Sequence, residues 1–161
     1  MTKIIVSLLA FLLTFFPNSA FLVSNHQNLS FLGKDTINDI IVEAINNDDA
    51  DTIESLFSQH TKENGDNLNQ KIKDLIVAID GDIIEYYDSG KGGDGDVSNS
   101  TGHLKDTLWA LYLKTDTGNE YLLYVSWVIV NTADSSKVGM KTIGLFDLYQ
   151  NPVAIVYNPT I

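Results

Sequence analysis

The stretch Ile79-Asp80-Gly81-Asp82-Ile83-Ile84-Glu85-Tyr86-Tyr87 divides the chain into two halves with different periodicities. Before Gly81, apolar residues recur every three to four positions. After it they alternate, and β-branched and aromatic residues take over. A period of 3.6 marks a helix with one buried stripe, and a period of 2 marks a strand with one buried face. The chain therefore reads as helices first and sheet second, an α+β arrangement with helices packed on one face of an antiparallel sheet.

Working back from Gly81, three helices follow from spacing. Leu68, Ile72, Leu75, Ile76 and Ile79 form one stripe, with Gly81 placed for a left-handed residue at the end. His60 to Asp66 breaks the pattern. A short helix carries Ile53, Leu56 and Phe57, with Asp48 as its cap and Asp51 in its first turn near the positive dipole end. A longer helix carries Ile37, Ile40, Ile41, Ala44 and Ile45, with Thr36 and Asp39 as a capping box and Asn46-Asn47 at its end.

Working forward, Ile83 to Tyr87 is a short strand, and Asp88 to Gly102 is expected as a flexible solvated connection. His103 to Lys114 alternates, with Leu104, Leu108, Ala110 and Tyr112 on one face and Trp109, Leu111 and Leu113 on the other. Asp116-Thr117-Gly118-Asn119 turns the chain into Tyr121 to Val130, apolar on both faces and so expected at the centre of the sheet. Ala133 to Lys137 is a turn, Lys141 to Leu148 a strand, and Asn151-Pro152 leads to a last strand at Val153 to Tyr157.

The run Ile41 to Phe57, IVEAINNDDADTIESLF, resembles the opening of the nuclear-transport-factor-2-like (cystatin-like, α+β cone) superfamily, where a helix ending in a small polar pair plus Asp leads into a short helix ending Leu-Phe. The order of elements across about 34–150 fits as well. More narrowly, the chain resembles small secreted proteins of uncharacterised function from Gram-positive bacteria. The resemblance implies a curved sheet wrapped around helices, leaving a conical pocket used for catalysis, ligand binding or subunit contact. It also implies that enzymes of the group use an Asp or His–Asp pair with a Tyr in an apolar cone. Asp82, Tyr86, Tyr87, His103 and Asp106 are the residues of suitable type here, although none lies in a motif that transfers a catalytic role.

Residues 1–20 read as an address. Lys3 precedes the apolar run Ile4 to Phe16, and Pro17-Asn18-Ser19-Ala20 supplies a breaker and small residues, as in a secretory signal. Phe21-Leu22-Val23 lengthens the run toward an uncleaved N-terminal anchor. Residues 21–33 are then a lead-in, 34–161 a single domain, and the protein is expected outside the cytoplasm, secreted or on the cell surface.

Composition narrows the chemistry. The chain has 161 residues and a formal charge of −11, with ten basic residues, all Lys, against 21 acids. Nucleic acid and anionic membranes are repelled by that balance. Without Cys there is no thiol catalysis, disulfide or zinc-thiolate site. Asp94, Asp96 and Ser98 alternate as calcium ligands do, but Asn99 and Lys105 stand where a calcium loop needs Gly and Glu, so no metal and no cofactor are implied. His26 and His60 lie in polar surroundings and read as surface residues.

Trp109, Tyr112, Tyr121, Tyr124 and Trp127 concentrate on two paired strands. Rings there fill a sheet core. If helices cover one face, apolar residues on the other meet a pocket, a partner or a second copy. Trp109, Tyr112, Tyr124 and Trp127 are therefore the candidate residues for binding a partner or ligand. The preferred expectation is a non-catalytic binding protein, possible versions being an immunity-type partner of a secreted basic protein or a homodimer through the sheet face. An isomerase or dehydratase with an Asp/Tyr pair, and a carrier of a small apolar ligand, stand as alternatives.

Overall fold

The structure, a computed structural model, describes residues 33–157. The expected signal or anchor at 1–20 and most of the lead-in lie outside these residues. No helix among the described residues is long and apolar enough to cross a membrane.

Four helices come first: α1 (Lys34–Asn46), α2 (Ala50–Leu56), α3 (Gln59–Asn64) and α4 (Leu68–Val77). They are followed by five strands: β1 (Ile83–Asn99), β2 (Gly102–Thr115), β3 (Glu120–Asn131), β4 (Gly139–Asp147) and β5 (Pro152–Tyr157). The strands form one antiparallel meander in the order β1-β2-β3-β4-β5, so β3, the strand apolar on both faces, is central. The fold is α+β, with helices preceding the sheet.

The helical stripes hold the domain together. Ile37, Ile41 and Ile45 of α1, Ile53 and Leu56 of α2, and Ile72 and Leu75 of α4 are buried. They pack with Trp109, Leu111 and Leu113 of β2, Leu123, Val125 and Trp127 of β3, and Met140, Ile143 and Leu145 of β4. These positions alternate along β2 and β3, and along β4 once the bulge at Lys141 is allowed for, so one sheet face meets the helices and the other turns away.

Local details differ from the sequence pattern in four places. The Thr36–Asp39 capping box does not form, because α1 begins at Lys34 behind an uncapped Gly33. Asp39, now inside the helix, instead accepts a 2.6 Å hydrogen bond from the Tyr86 hydroxyl. The cap of α2 is Asp49 rather than Asp48, whose backbone takes φ 53, and Asp49 accepts from the Thr52 amide.

The break at His60 to Asp66 contains α3. No apolar stripe announces it, and only Thr61 of this helix is buried. Ser58 caps it, accepting from the Thr61 amide at 3.1 Å.

The connection expected over 88–102 is mostly paired strand. Gly92 to Asn99 match Trp109 back to Gly102, and only Ser100 and Thr101 turn the chain. Backbone groups make this ladder, so its Gly- and Asp-rich side chains, poor in strand propensity, carry little signal of it. A bulge between Asp88 and Gly92 absorbs the extra residues.

Candidate functional site

The face of the sheet turned away from the helices is built by alternation. Tyr112 and Tyr124 lie on it because Trp109, Leu111, Leu113, Leu123, Val125 and Trp127 point to the other side. Tyr87 of β1 sits opposite Tyr112, and the two rings stack with centroids 4.6 Å apart. Tyr124 meets Phe146 edge-on at 5.2 Å. Leu122, between its cross-strand neighbours Tyr112 and Phe146, is 3% exposed although it lies outside the helix-facing core. Around these rings Leu108, Ile155 and Tyr87 remain 42%, 40% and 51% exposed. The result is an ordered apolar surface with an aromatic centre. Hydrogen bonding to Glu120, then burial and the Glu120 charge, push the Tyr112 hydroxyl up to about 12, so it stays protonated beyond the ordinary range of a phenol.

The four aromatic binding candidates therefore separate. Tyr112 and Tyr124 are on this outer face, whereas Trp109 and Trp127, each 2% exposed, belong to the helix–sheet core. Of the four rings expected together, two are on the outer face, where Tyr87 and Phe146 join them. Trp109 has a structural partner instead: its indole Nε1 donates to Asn38 Oδ1 at 2.8 Å. Lys34 lies over the same ring, with Nζ 5.5 Å from the centroid, and pairs with Asp88 at 2.5 Å.

The residues of catalytic type do not assemble. Asp82 is exposed in a turn locked to the β2–β3 turn, its amide donating to Asp116 Oδ1 at 3.1 Å. Tyr86 donates to Asp39 at an exposed position, and that bond raises its pKa. Tyr86 is opposite Leu113 and His103 is opposite Ser98, ten positions apart along β2. At ~3.3 Å per residue that is roughly 33 Å. His103 Nε2 is 2.8 Å from Asp96 Oδ1, both exposed near the tip of the β1–β2 hairpin. Asp94 stands opposite Thr107, and Asp96 opposite Lys105. Among the described residues no group of three or more His, Cys, Asp or Glu is placed to hold a metal.

Asp106 has a different setting. It lines a cleft of about 150 Å³ with Leu104 and Val128 of the sheet, His60 of α3, Lys137 of the 3₁₀ turn Ser135–Lys137, and Lys141 of β4. The α2–α3 joint is tied beside β4 by the bridge of Phe57 with Met140 and by the Ser58 amide, which donates to the Met140 carbonyl at 2.9 Å. That tie brings His60 to the sheet. Ser58 and Thr61, also in the wall, are occupied with each other, their hydroxyls 2.9 Å apart.

Alternation puts Leu108 on the face of Tyr112, whereas Phe146 and Ile155 on the outer face, and Lys137 and Lys141 of the cleft, were missed. Phe146 and Ile155 were recoverable from strand alternation once the pairing was known. Asn38 was visible as a polar residue three positions before Ile41 on the buried stripe of α1.

No curated protein matches the chain. A family model described as a domain of unknown function, DUF5104, matches residues 40–148, from the middle of α1 to just past β4. This chain belongs to the DUF5104 family.

Proposed function

We infer that this domain is a non-catalytic binding module that acts outside the cytoplasm and engages a protein partner through the outer face of its sheet. The observation that carries the reading is the aromatic and aliphatic surface of Tyr87, Tyr112, Tyr124, Phe146, Leu108 and Ile155, on the side of the sheet that the helical stripes leave free. Large ordered apolar surfaces of this kind mark interaction sites, and aromatic rings are the residues that carry most binding energy there. A charge of −11 favours a basic partner and speeds its capture, as an immunity-type role would need. Location outside the cytoplasm rests on residues 1–20, and kinship with the nuclear-transport-factor-2-like cone rests on the Ile41–Phe57 run and the helix-then-meander order.

Two features weigh against the alternatives. Trp109, Phe57 and Met140 fill the space between helices and sheet where a carrier would need a cavity. The phenol of Tyr86 is exposed and committed to Asp39, seven positions along the β1–β2 ladder from half-buried Asp106, which leaves an isomerase without the expected desolvated Asp/Tyr pair.

The test is affinity capture from culture supernatant and cell envelope with the full chain and with a Leu108→Lys, Ile155→Lys double variant. A partner held by the parent chain and lost by the variant supports the reading. Recovery of nothing by either, or equal recovery by both, overturns it. Recovery of the chain itself, with dimers in sedimentation, identifies the partner as a second copy.

A further inference from the structure

The cleft between α3, the 3₁₀ turn and the sheet joins groups of opposite charge that do not neutralise each other. Asp106 and Lys141 are both half-buried in its wall, yet among the described residues neither takes part in an ion pair or side-chain hydrogen bond. Lys137 is engaged only loosely, at 3.8 Å from Asp134. The position of Asp106 is set by its neighbour: a Cβ on Gly95, opposite it in β1, would overlap Asp106 Oδ1, so the glycine leaves the space this carboxylate occupies. Leu104 and Val128 supply an apolar floor between the charged groups.

Separated, partly desolvated charges of opposite sign attract a ligand that carries both complementary charges at a fixed spacing. Charge-assisted hydrogen bonds are the strongest such contacts available to Lys and Asp. A volume of about 150 Å³ far exceeds the roughly 10–15 Å³ that one water needs and suits a small organic molecule. In a chain this acidic, Lys141, joined by Lys137 whose own partner Asp134 lies 3.8 Å away, gives the wall a local positive charge that can accept an anionic group.

The geometry points to a recognition site for a small zwitterion of the α-amino-acid type. Its ammonium group meets Asp106, its carboxylate meets Lys141 with support from Lys137, and its apolar side chain rests on Leu104 and Val128. His60 closes the α3 side. This site lies further along the strand face that carries Leu108 and Tyr112, with Asp106 two positions from Leu108, and it does not rest on the partner-binding reading.

The experiment is a heteronuclear NMR titration of the full chain with L-leucine, N-acetyl-L-leucine and L-leucinamide. L-Leucine is expected to give saturable shifts at Leu104, Val128 and His60. Each analogue lacks one charge and is expected to bind about tenfold more weakly or worse, the loss that follows from deleting one charge-assisted contact. Asp106→Asn should weaken L-leucine while leaving N-acetyl-L-leucine unchanged, and Lys141→Gln should weaken L-leucine while leaving L-leucinamide unchanged. Absence of saturable shifts with L-leucine overturns the proposal. So does equal binding of L-leucine and N-acetyl-L-leucine, which would make the cleft a plain anion site. Ile155→Lys alone, on β5 and outside the cleft lining, should bind L-leucine as the parent does, so the two readings fail separately.

Discussion

The indole nitrogen of Trp109 donates to Oδ1 of Asn38 at 2.8 Å, joining the middle of β2 to α1 across 71 positions of chain with both side chains at least 96% buried. An indole N–H has no second mode of satisfaction in such a place, because it can only donate. Asn38→Leu fills similar volume but leaves that donor orphaned. We expect a loss of about 1–3 kcal/mol in urea unfolding, with little change in the slope. Trp109→Phe in the Asn38→Leu background should cost less than in the parent, since the group stranded by the first change has been removed. Equal costs in both backgrounds would show that the bond contributes nothing.

Asp49 tests the start of α2. Its carboxylate accepts from the Thr52 amide at 2.9 Å and from the Thr52 hydroxyl at 2.6 Å, and these bonds hold its pKa below the ordinary 3.8. Asp49→Ala should cost about 1 kcal/mol at neutral pH. A depressed carboxyl pKa contributes stability that is present above the unfolded value and lost as pH falls through the folded one. The gap between parent and Asp49→Ala should therefore narrow below about pH 4, while Asp49→Asn, which caps without a charge, stays close to the parent at neutral pH. A gap independent of pH would assign the effect to something other than the carboxylate.

These two contacts also show what the chain discloses before folding. Stripes such as Ile37-Ile41-Ile45 and Leu68-Ile72-Leu75 identify α1 and α4 because burial enforces the period. The helix α3 lacks a stripe, being held by Ser58, Thr61 and the Met140 carbonyl, so periodicity could not show it. Alternation correctly set Trp109, Leu111 and Leu113 against Leu108, Ala110 and Tyr112. It could not say which set meets the helices, and both tryptophans fell on the covered side. The cleft was out of reach for a related reason. Its walls include His60, Leu104, Asp106, Val128, Lys137 and Lys141, which the β2–β3 and β3–β4 pairings and the Phe57–Met140 bridge bring together.

Gly92 marks where the β1 bulge rejoins the ladder. Its φ is 137, and a Cβ there would overlap the Leu108 carbonyl oxygen across the strand pair, whereas a Cβ on the adjacent Gly93 meets nothing within 4 Å. Gly92→Ala should lower stability by at least about 1 kcal/mol, through strain at the left-handed φ and displacement of β1. Gly93→Ala should be nearly neutral. Thermal unfolding compares them directly, and equal melting temperatures would remove the constraint assigned to Gly92.

The outer face carries its own pH signature. The Tyr112 hydroxyl is raised from 10.0 to about 12, first by hydrogen bonding to Glu120, then by burial and by the Glu120 charge. For a group whose folded pKa is raised, the stabilising contribution is complete below the unfolded value and disappears as pH rises through the folded one. The parent chain should thus lose stability relative to Tyr112→Phe between about pH 10 and pH 12, and the two should run parallel below that window. Glu120→Gln removes both the acceptor charge and its repulsion of the phenolate, so phenolate absorbance from Tyr112, taken as the difference from Tyr112→Phe, should rise at lower pH in that variant. If Glu120→Gln leaves the titration in place, burial beside the Tyr87 ring rather than Glu120 sets the ionisation of this surface.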